Sequence, residues 1–283
     1  MIHIFALSDI HVDFNENELW IDNLSDYDYR DDVLLLAGDV CHSMNRLQST
    51  LLKLRNKFSK LFFVPGNHDL WVRGEPWTDS IEKFNQLQQF CRENQISIHP
   101  EKAGEFWIVP LLSWYTQPFE GEDTLYFHKP GEDPGNRMWS DNYFVKWPNS
   151  SQPFIPSKYF FACNETHLND DISSPVISMS HFIPRKEMMF SQYPPVFDPE
   201  KIRKFGRNPQ FNFSRVAGSE LIDIQIRKCG SQLHVYGHQH INRDRVVNGI
   251  RYVAHCLGYP AERRRGLLQG IEQGLKLIAR TTG

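Results

Sequence analysis

Eight polar side chains stand where apolar runs of the sequence stop. Asp9 and His11 follow the run at 2–7, and Asp39 follows 33–37. Asn67 and His68 follow 61–64, His181 follows 175–179, and His238 and His240 follow 233–236. Carboxylate, amide and imidazole donors without a thiolate suit Mn, Fe or Zn in a catalytic site rather than a structural zinc site. His238 and His240 are two residues apart on an extended segment, so both face one side, as chelation requires. Asp9, His11, Asp39, Asn67, His181, His238 and His240 supply seven ligands, which fit two ions better than one. If Asp39 bridges, each ion receives four protein donors and keeps positions open. Two such ions roughly 3.5–4 Å apart can share a hydroxide and clamp the attacked and leaving oxygens of an in-line displacement. Two divalent cations against two aspartates leave the site positive, and a positive site attracts phosphate.

These groups need a scaffold that brings together positions more than 200 residues apart. Continuous apolar strands alternate with helical patterns at 44–58 and 79–94, which predicts an α/β sheet buried on both faces. In such sheets ligands bind at the carboxyl ends of the strands. Further helices are expected at 158–169 and 217–229, and a hairpin at 244–254 turning on Asn248-Gly249. Residues 106–161 carry 15 of the chain's 37 Phe, Tyr and Trp residues and no long periodic pattern. They are expected to form a long functional connection of loops and short strands within one domain spanning 1–283. A second irregular stretch, at 190–212, contains Pro194, Pro195, Pro199 and Pro209.

Asp9-Ile10-His11, Gly38-Asp39, Gly66-Asn67-His68-Asp69, His181 and Gly237-His238-Gln239-His240 together resemble the signature of calcineurin-like metallophosphoesterases, in the family's order. The resemblance implies a two-sheet α/β sandwich flanked by helices, with a dinuclear site at the carboxyl edge of the sheets. It assigns Asp9, His11, Asp39 and His240 to one metal, and Asp39, Asn67, His181 and His238 to the other. It makes His68 the residue that binds the phosphoryl group and protonates the leaving oxygen. His42 stands where many members carry the acid that orients this histidine, so Asp69 or His42 is expected to substitute. The signatures of the Ser/Thr protein phosphatases and the purple acid phosphatases are missing.

The expected activity is hydrolysis of a small phosphomonoester or phosphodiester, with a nucleotide among the candidates. A nuclease of the same chemistry and a non-catalytic scaffold are the rivals. A formal net charge of −3 argues against a dedicated nucleic-acid binder, and retention of every ligand argues against a scaffold. Arg73, just past the third motif, is a candidate phosphate contact alongside Asn67 and His68. Trp71, Trp114, Tyr115 and Trp139 either stack on a substrate ring or simply pack. Arg263-Arg264-Arg265 reads as a solvated face, and His234 as a core residue rather than a ligand. No apolar run is long enough to span a membrane. Five scattered cysteines without a C-x-x-C pair, together with a strand that starts at residue 2, read as a reduced cytoplasmic protein.

Overall fold

The computed structural model describes residues 1–149, 151–168, 171–190 and 210–281. Among these residues ten strands form two sheets. In the first, β1 (Ile2–Leu7), β2 (Val33–Ala37) and β3 (Lys60–Val64) run parallel, and β10 (Lys276–Thr281) pairs antiparallel with β1. The second contains β4 (Glu101–Ala103), β5 (Phe106–Pro110), β6 (Val176–Met179), β7 (Leu233–Tyr236), β8 (Arg243–Val247) and β9 (Ile250–Ala254), in the order β4-β5-β6-β7-β9-β8. Its four inner strands are parallel, and β4 and β8 are antiparallel edges.

Strand alternation sorts the apolar residues into three layers of core. Ile4, Ala6, Leu35 and Phe62 face Ile108, Ile177, Met179, Val235 and Val253 across the gap between the sheets. The alternate residues Leu7, Leu34, Leu36, Leu61 and Phe63 face outward. They pack under helices α1 (Asn15–Asp22), α2 (Met44–Lys57) and α3 (Ser80–Glu93) through Ile21, Leu47, Leu51, Leu54 and Leu87. On the far side of the second sheet, Val109, Val176, Tyr236 and Tyr252 meet the helices at Pro156–Glu165 and Glu220–Lys228 through Phe160, Ile222 and Ile226. Both faces of both sheets are therefore covered, which is why β2 reads as an unbroken apolar run. The two-sheet sandwich implied by the resemblance is the fold observed.

Local signals explain most boundaries. Asp79 accepts hydrogen bonds from the Ile81 and Glu82 amides and caps α3. Ser219 caps the helix at Glu220–Lys228, and Pro156 opens the helix at Pro156–Glu165. Asn248 and Gly249 both adopt positive φ, 49° and 81°, as a two-residue hairpin between β8 and β9 requires. The aromatic stretch differs from its expectation at its start: residues 106–110 are β5, a central strand, and the irregular connection proper begins at 111. It contains the short helix α4 (Asp141–Phe144) and runs into the helix at Pro156–Glu165. Most of the 190–212 stretch lies outside the described residues.

Candidate metal centre

Every ligand-bearing parallel strand of the two sheets delivers its carboxyl end to one edge. β1 is followed by Asp9 and His11, β2 by Asp39, β3 by Asn67 and His68, β6 by His181, and β7 by His238 and His240. The two sheets are tied there by the Ser8–Cys256 β-bridge and by amide bonds from Leu257 to Ser8 and from Gly258 to Asp9, while bonds from Asp9 to Gly38 and from Gly237 to His181 join neighbouring strand ends within each sheet. Two overlapping donor groups result. Asp9, His11, Asp39 and His240 form one, Asp39, His181 and His238 the other, each within 4.8 Å. Asn67 joins the second group, its Oδ1 lying 3.2 Å from His181 Nε2. Asp39 Oδ2 lies between the groups, 3.8 Å from His11 Nε2 and 3.5 Å from His181 Nε2.

The donor atoms fit a cation. His11 Nε2 and His240 Nε2 face each other at 3.0 Å, and His238 Nδ1 faces His181 Nε2 at 3.2 Å. The outward nitrogens of three of these rings are occupied: His181 Nδ1 by the Ala37 carbonyl, His238 Nε2 by the Val216 carbonyl, and His240 Nδ1 by Glu262. Such partners fix the tautomer and reserve the inward nitrogen for a metal. His11 Nδ1, also buried, has no hydrogen-bond partner. Burial holds the His11, His181 and His238 imidazoles below their ordinary range, hence neutral, as ligands must be. Burial, with the charges of Asp9 and Asp69, pushes Asp39 well up. Burial acts upward on Asp9 too, but its contacts with His240 prevail and hold that carboxyl below the usual range. For His240 burial opposes the charge, yet bonds to Asp9 and Glu262 raise it to about 10.

The backbone at this edge is strained. Asp9, His11, Asp39, His238 and His240 all have positive φ, between 40° and 74°, in the left-handed region that costs a non-glycine residue about 1–3 kcal/mol. The cost is offset by bonds such as His11 N–H to the Asp39 carbonyl and His238 N–H to the Asp9 carboxylate. Gly66 is forced by proximity: a Cβ there would collide with the Asp39 carboxylate.

His68 lies at the mouth of the centre. Its amide donates to Asp39 Oδ1 at 2.9 Å, and its ring stacks on Trp71 with centroids 3.8 Å apart. Burial and the neighbouring histidines keep it neutral. Neither expected orienter touches its ring. Asp69 instead accepts the amides of Asp39, Val40, Cys41 and Gly66, pinning the loops after β2 and β3 together. His42 turns away to Asp13, with Nδ1 2.5 Å from Oδ1. Beside the imidazole lie Trp71, the Tyr259 hydroxyl 3.5 Å from His68 Nε2, the edge-on His11 ring, and Asp39 Oδ2 at 4.0 Å. Arg73 is placed elsewhere, exposed with its guanidinium 4.8 Å above the Phe144 ring.

Three functional neighbours carry no motif. Asp141, on α4, is buried and takes hydrogen bonds from Asn67 Nδ2, Trp71 Nε1, Trp139 Nε1 and the Tyr115 hydroxyl. It thereby points Asn67 Oδ1 into the metal centre. Glu262, on a short helix at Pro260–Arg264 that follows β9, holds both His240 and the Tyr259 amide. Tyr259 itself packs against His11 and His240. Among the four aromatics in question, Trp114 is core, Trp71 supports His68, Tyr115 joins Asp141, and Trp139 lines the cleft. His234 is sandwiched between the Ser178 and Ser180 hydroxyls, a core residue as expected. Arg263 and Arg264 bind Asn17 and Glu16.

The calcineurin-like phosphoesterase family matches residues 2–242. The chain belongs to that family. This calcineurin-like phosphoesterase is 26% identical over 279 residues to the [acyl-carrier-protein] phosphodiesterase PptH of Mycobacterium tuberculosis, covering 93% of this chain and 79% of PptH. It is 22% identical over 285 residues to an uncharacterised protein of Acanthamoeba polyphaga mimivirus, covering 91% of each. The crystal structure of PptH superposes with a TM-score of 0.73 at 21% identity, over 100% of this chain and 99% of the other. This is the same fold. The calcineurin-like phosphoesterase described here is accordingly a metal-dependent phosphoric ester hydrolase.

Proposed function

We propose that this enzyme hydrolyses the phosphodiester joining a phosphopantetheine arm to a carrier protein. The observation that carries the reading is the pair of donor groups sharing Asp39 at the floor of an open cleft of about 210 Å3. The activity named for PptH, a relative along almost the whole chain, supplies the ester class. The substrate is thus a small phosphorylated group presented on a protein, rather than a free metabolite.

Two divalent ions, Mn, Fe or Zn, would be held by Asp9, His11, Asp39 and His240 on one side and by Asp39, Asn67, His181 and His238 on the other. When bound they supply a deprotonated water and neutralise phosphate charge. The protein's own groups do the rest. His68, neutral and fixed by Trp71, presents a ring N–H to the leaving oxygen. Asn67 and the Tyr259 hydroxyl border the place a phosphoryl oxygen occupies. The water oxygen becomes bonded to phosphorus, the bond from phosphorus to the carrier's side-chain oxygen breaks, and that oxygen takes up a proton. Among the described residues the cleft lining has no Lys or Arg, so a nuclease reading lacks the basic groove it needs. Arg73 has no part in this scheme. The five cysteines are free thiols, four of them buried, which suits a reducing compartment such as the cytosol.

The test is incubation of metal-loaded enzyme with a phosphopantetheinylated carrier protein, read by intact-protein mass. The expected result is conversion to the unmodified carrier, abolished in Asp39→Asn. Cleavage of bis-p-nitrophenyl phosphate with no change in carrier mass refutes the carrier reading while leaving the phosphodiesterase intact.

A further inference from the structure

A chamber opens off the metal cleft, and hydrolysis at phosphorus makes no use of its depth. It is open to solvent along one side and has a volume of about 790 Å3. Trp139, Ser140, Phe213, Gln239 and Tyr259 line both spaces, so a substituent on phosphorus passes directly from one to the other. Beyond this shared wall the described lining is dominated by Phe127, Met138, Met189, Phe190 and Phe211. Lys129 is the one charged residue in the described lining, and its ammonium donates to the Phe211 carbonyl at 2.8 Å. The Gln239 amide is also engaged, donating to the Met189 carbonyl and accepting from Arg243. The lining therefore turns polar atoms onto the protein and offers carbon and sulfur to a guest. Such a surface favours a neutral, elongated, apolar group and penalises one that brings charge.

Size narrows the class. A pantetheine arm has about 18 non-hydrogen atoms, and at no more than the ~30 Å3 a water occupies in the liquid they fill about 540 Å3. On the same allowance the remaining space takes roughly eight more carbons. The Phe and Met walls away from the metals are the natural surroundings for them, since methionine side chains adapt to guests of varying shape.

We propose that the chamber binds the arm with an acyl group still on its sulfur, so that the enzyme releases acyl-phosphopantetheine from loaded carriers as well as the free-thiol arm from unloaded ones. The proposal rests on the carrier-protein reading. The step is the same hydrolysis: one water enters, the phosphorus–oxygen bond to the carrier breaks, and the thioester survives because the acyl end lies away from the cleft.

The experiment compares free-thiol and octanoyl carrier proteins on metal-loaded enzyme, with products identified by mass. Alongside it, quenching of tryptophan fluorescence is titrated with pantetheine and with S-octanoylpantetheine, which contain no phosphate. Turnover of the octanoyl carrier within about tenfold of the free-thiol form, with the thioester intact, supports the proposal. So does S-octanoylpantetheine binding at least tenfold more tightly than pantetheine, as burial of its alkyl chain predicts. Met138→Trp, at an exposed rim position of the lining, is expected to lower the octanoyl-to-free-thiol turnover ratio about tenfold. Cleavage of the free-thiol carrier with the octanoyl form slowed more than tenfold, or equal binding of the two pantetheines, overturns the chamber assignment alone. Failure on both carriers with intact activity on bis-p-nitrophenyl phosphate overturns the carrier reading and this proposal together.

Discussion

Asp141 and Glu262 touch no substrate, yet each fixes the direction of a metal-binding group. Burial pushes the Asp141 carboxyl up to about 6 despite its four donors, so it is ionised at neutral pH and accepts from Asn67. Asp141→Ala loses that acceptor and frees the Asn67 amide to turn over. Metal affinity at the Asn67 side is expected to fall about 10- to 100-fold, measured by metal titration, with less effect on the Asp9 side. His68→Ala is expected to retain both metals and to slow a diester with a poor leaving group about 100-fold or more. A nitrophenyl ester, whose leaving group needs no proton, should lose much less, and equal losses on both esters would remove His68 from acid catalysis. His240 gives a pH prediction. Its metal-free imidazole is raised to about 10, so at pH 7 it carries a proton that metal must displace. Affinity should therefore rise with pH through the neutral range, with proton release visible as a buffer-dependent heat of binding. A binding constant flat between pH 6 and 8 would contradict His240 as a ligand.

Loops do as much work here as strands. Asp69 gathers four backbone amides from the turns after β2 and β3, so it serves the shape of those turns rather than the chemistry of His68. Asp69→Ala strands these donors in a buried site, and the loss should reach about 3 kcal/mol or more, at 1–3 kcal/mol for a buried unsatisfied group. Urea unfolding measures it, and a change under about 1 kcal/mol, the least expected for one stranded donor, would assign those amides other partners. The strands that carry ligands are legible in the sequence, because full burial writes them as apolar runs. The elements with little signal are α1, β4, β10 and the helix at Pro260–Arg264. They are short or half-exposed, like β10 with two of its six residues buried, so periodicity does not mark them. That blind spot contains Glu262.

At the scale of the molecule, metal binding and folding are one equilibrium. Asp9, Asp39 and the buried histidines converge at the join of the two sheets, where unpartnered donors and strained φ values weigh against the metal-free fold. Metal at a hundred times its dissociation constant adds about 2.7 kcal/mol per site. For a chain of this size that is a rise in Tm of roughly 5–10 °C, reversed by chelator in calorimetry. An unchanged Tm would mean that the donor groups do not hold metal. No described helix is long and apolar enough to cross a membrane. With a net charge of −3 and no Lys or Arg in the described lining of the cleft, bound metal would be the source of attraction for phosphate.

The sequence by itself determined the candidate ligands, since a metal site needs particular donor atoms and the strand pattern marks where each is delivered. It also determined the α/β class, because burial on both faces is written in the strands. Only the tertiary structure decided what surrounds those ligands. Asp141, Glu262 and Tyr259 act through contacts with distant positions, such as Tyr259 against His11, 248 residues away, which no local spacing encodes. The same holds for the chamber, whose walls come from segments either side of β6, and for the replacement of Asp69 and His42 by Trp71 and Tyr259 beside His68. Side-chain type survives translation into a list of letters, but the direction in which a side chain points is set by packing.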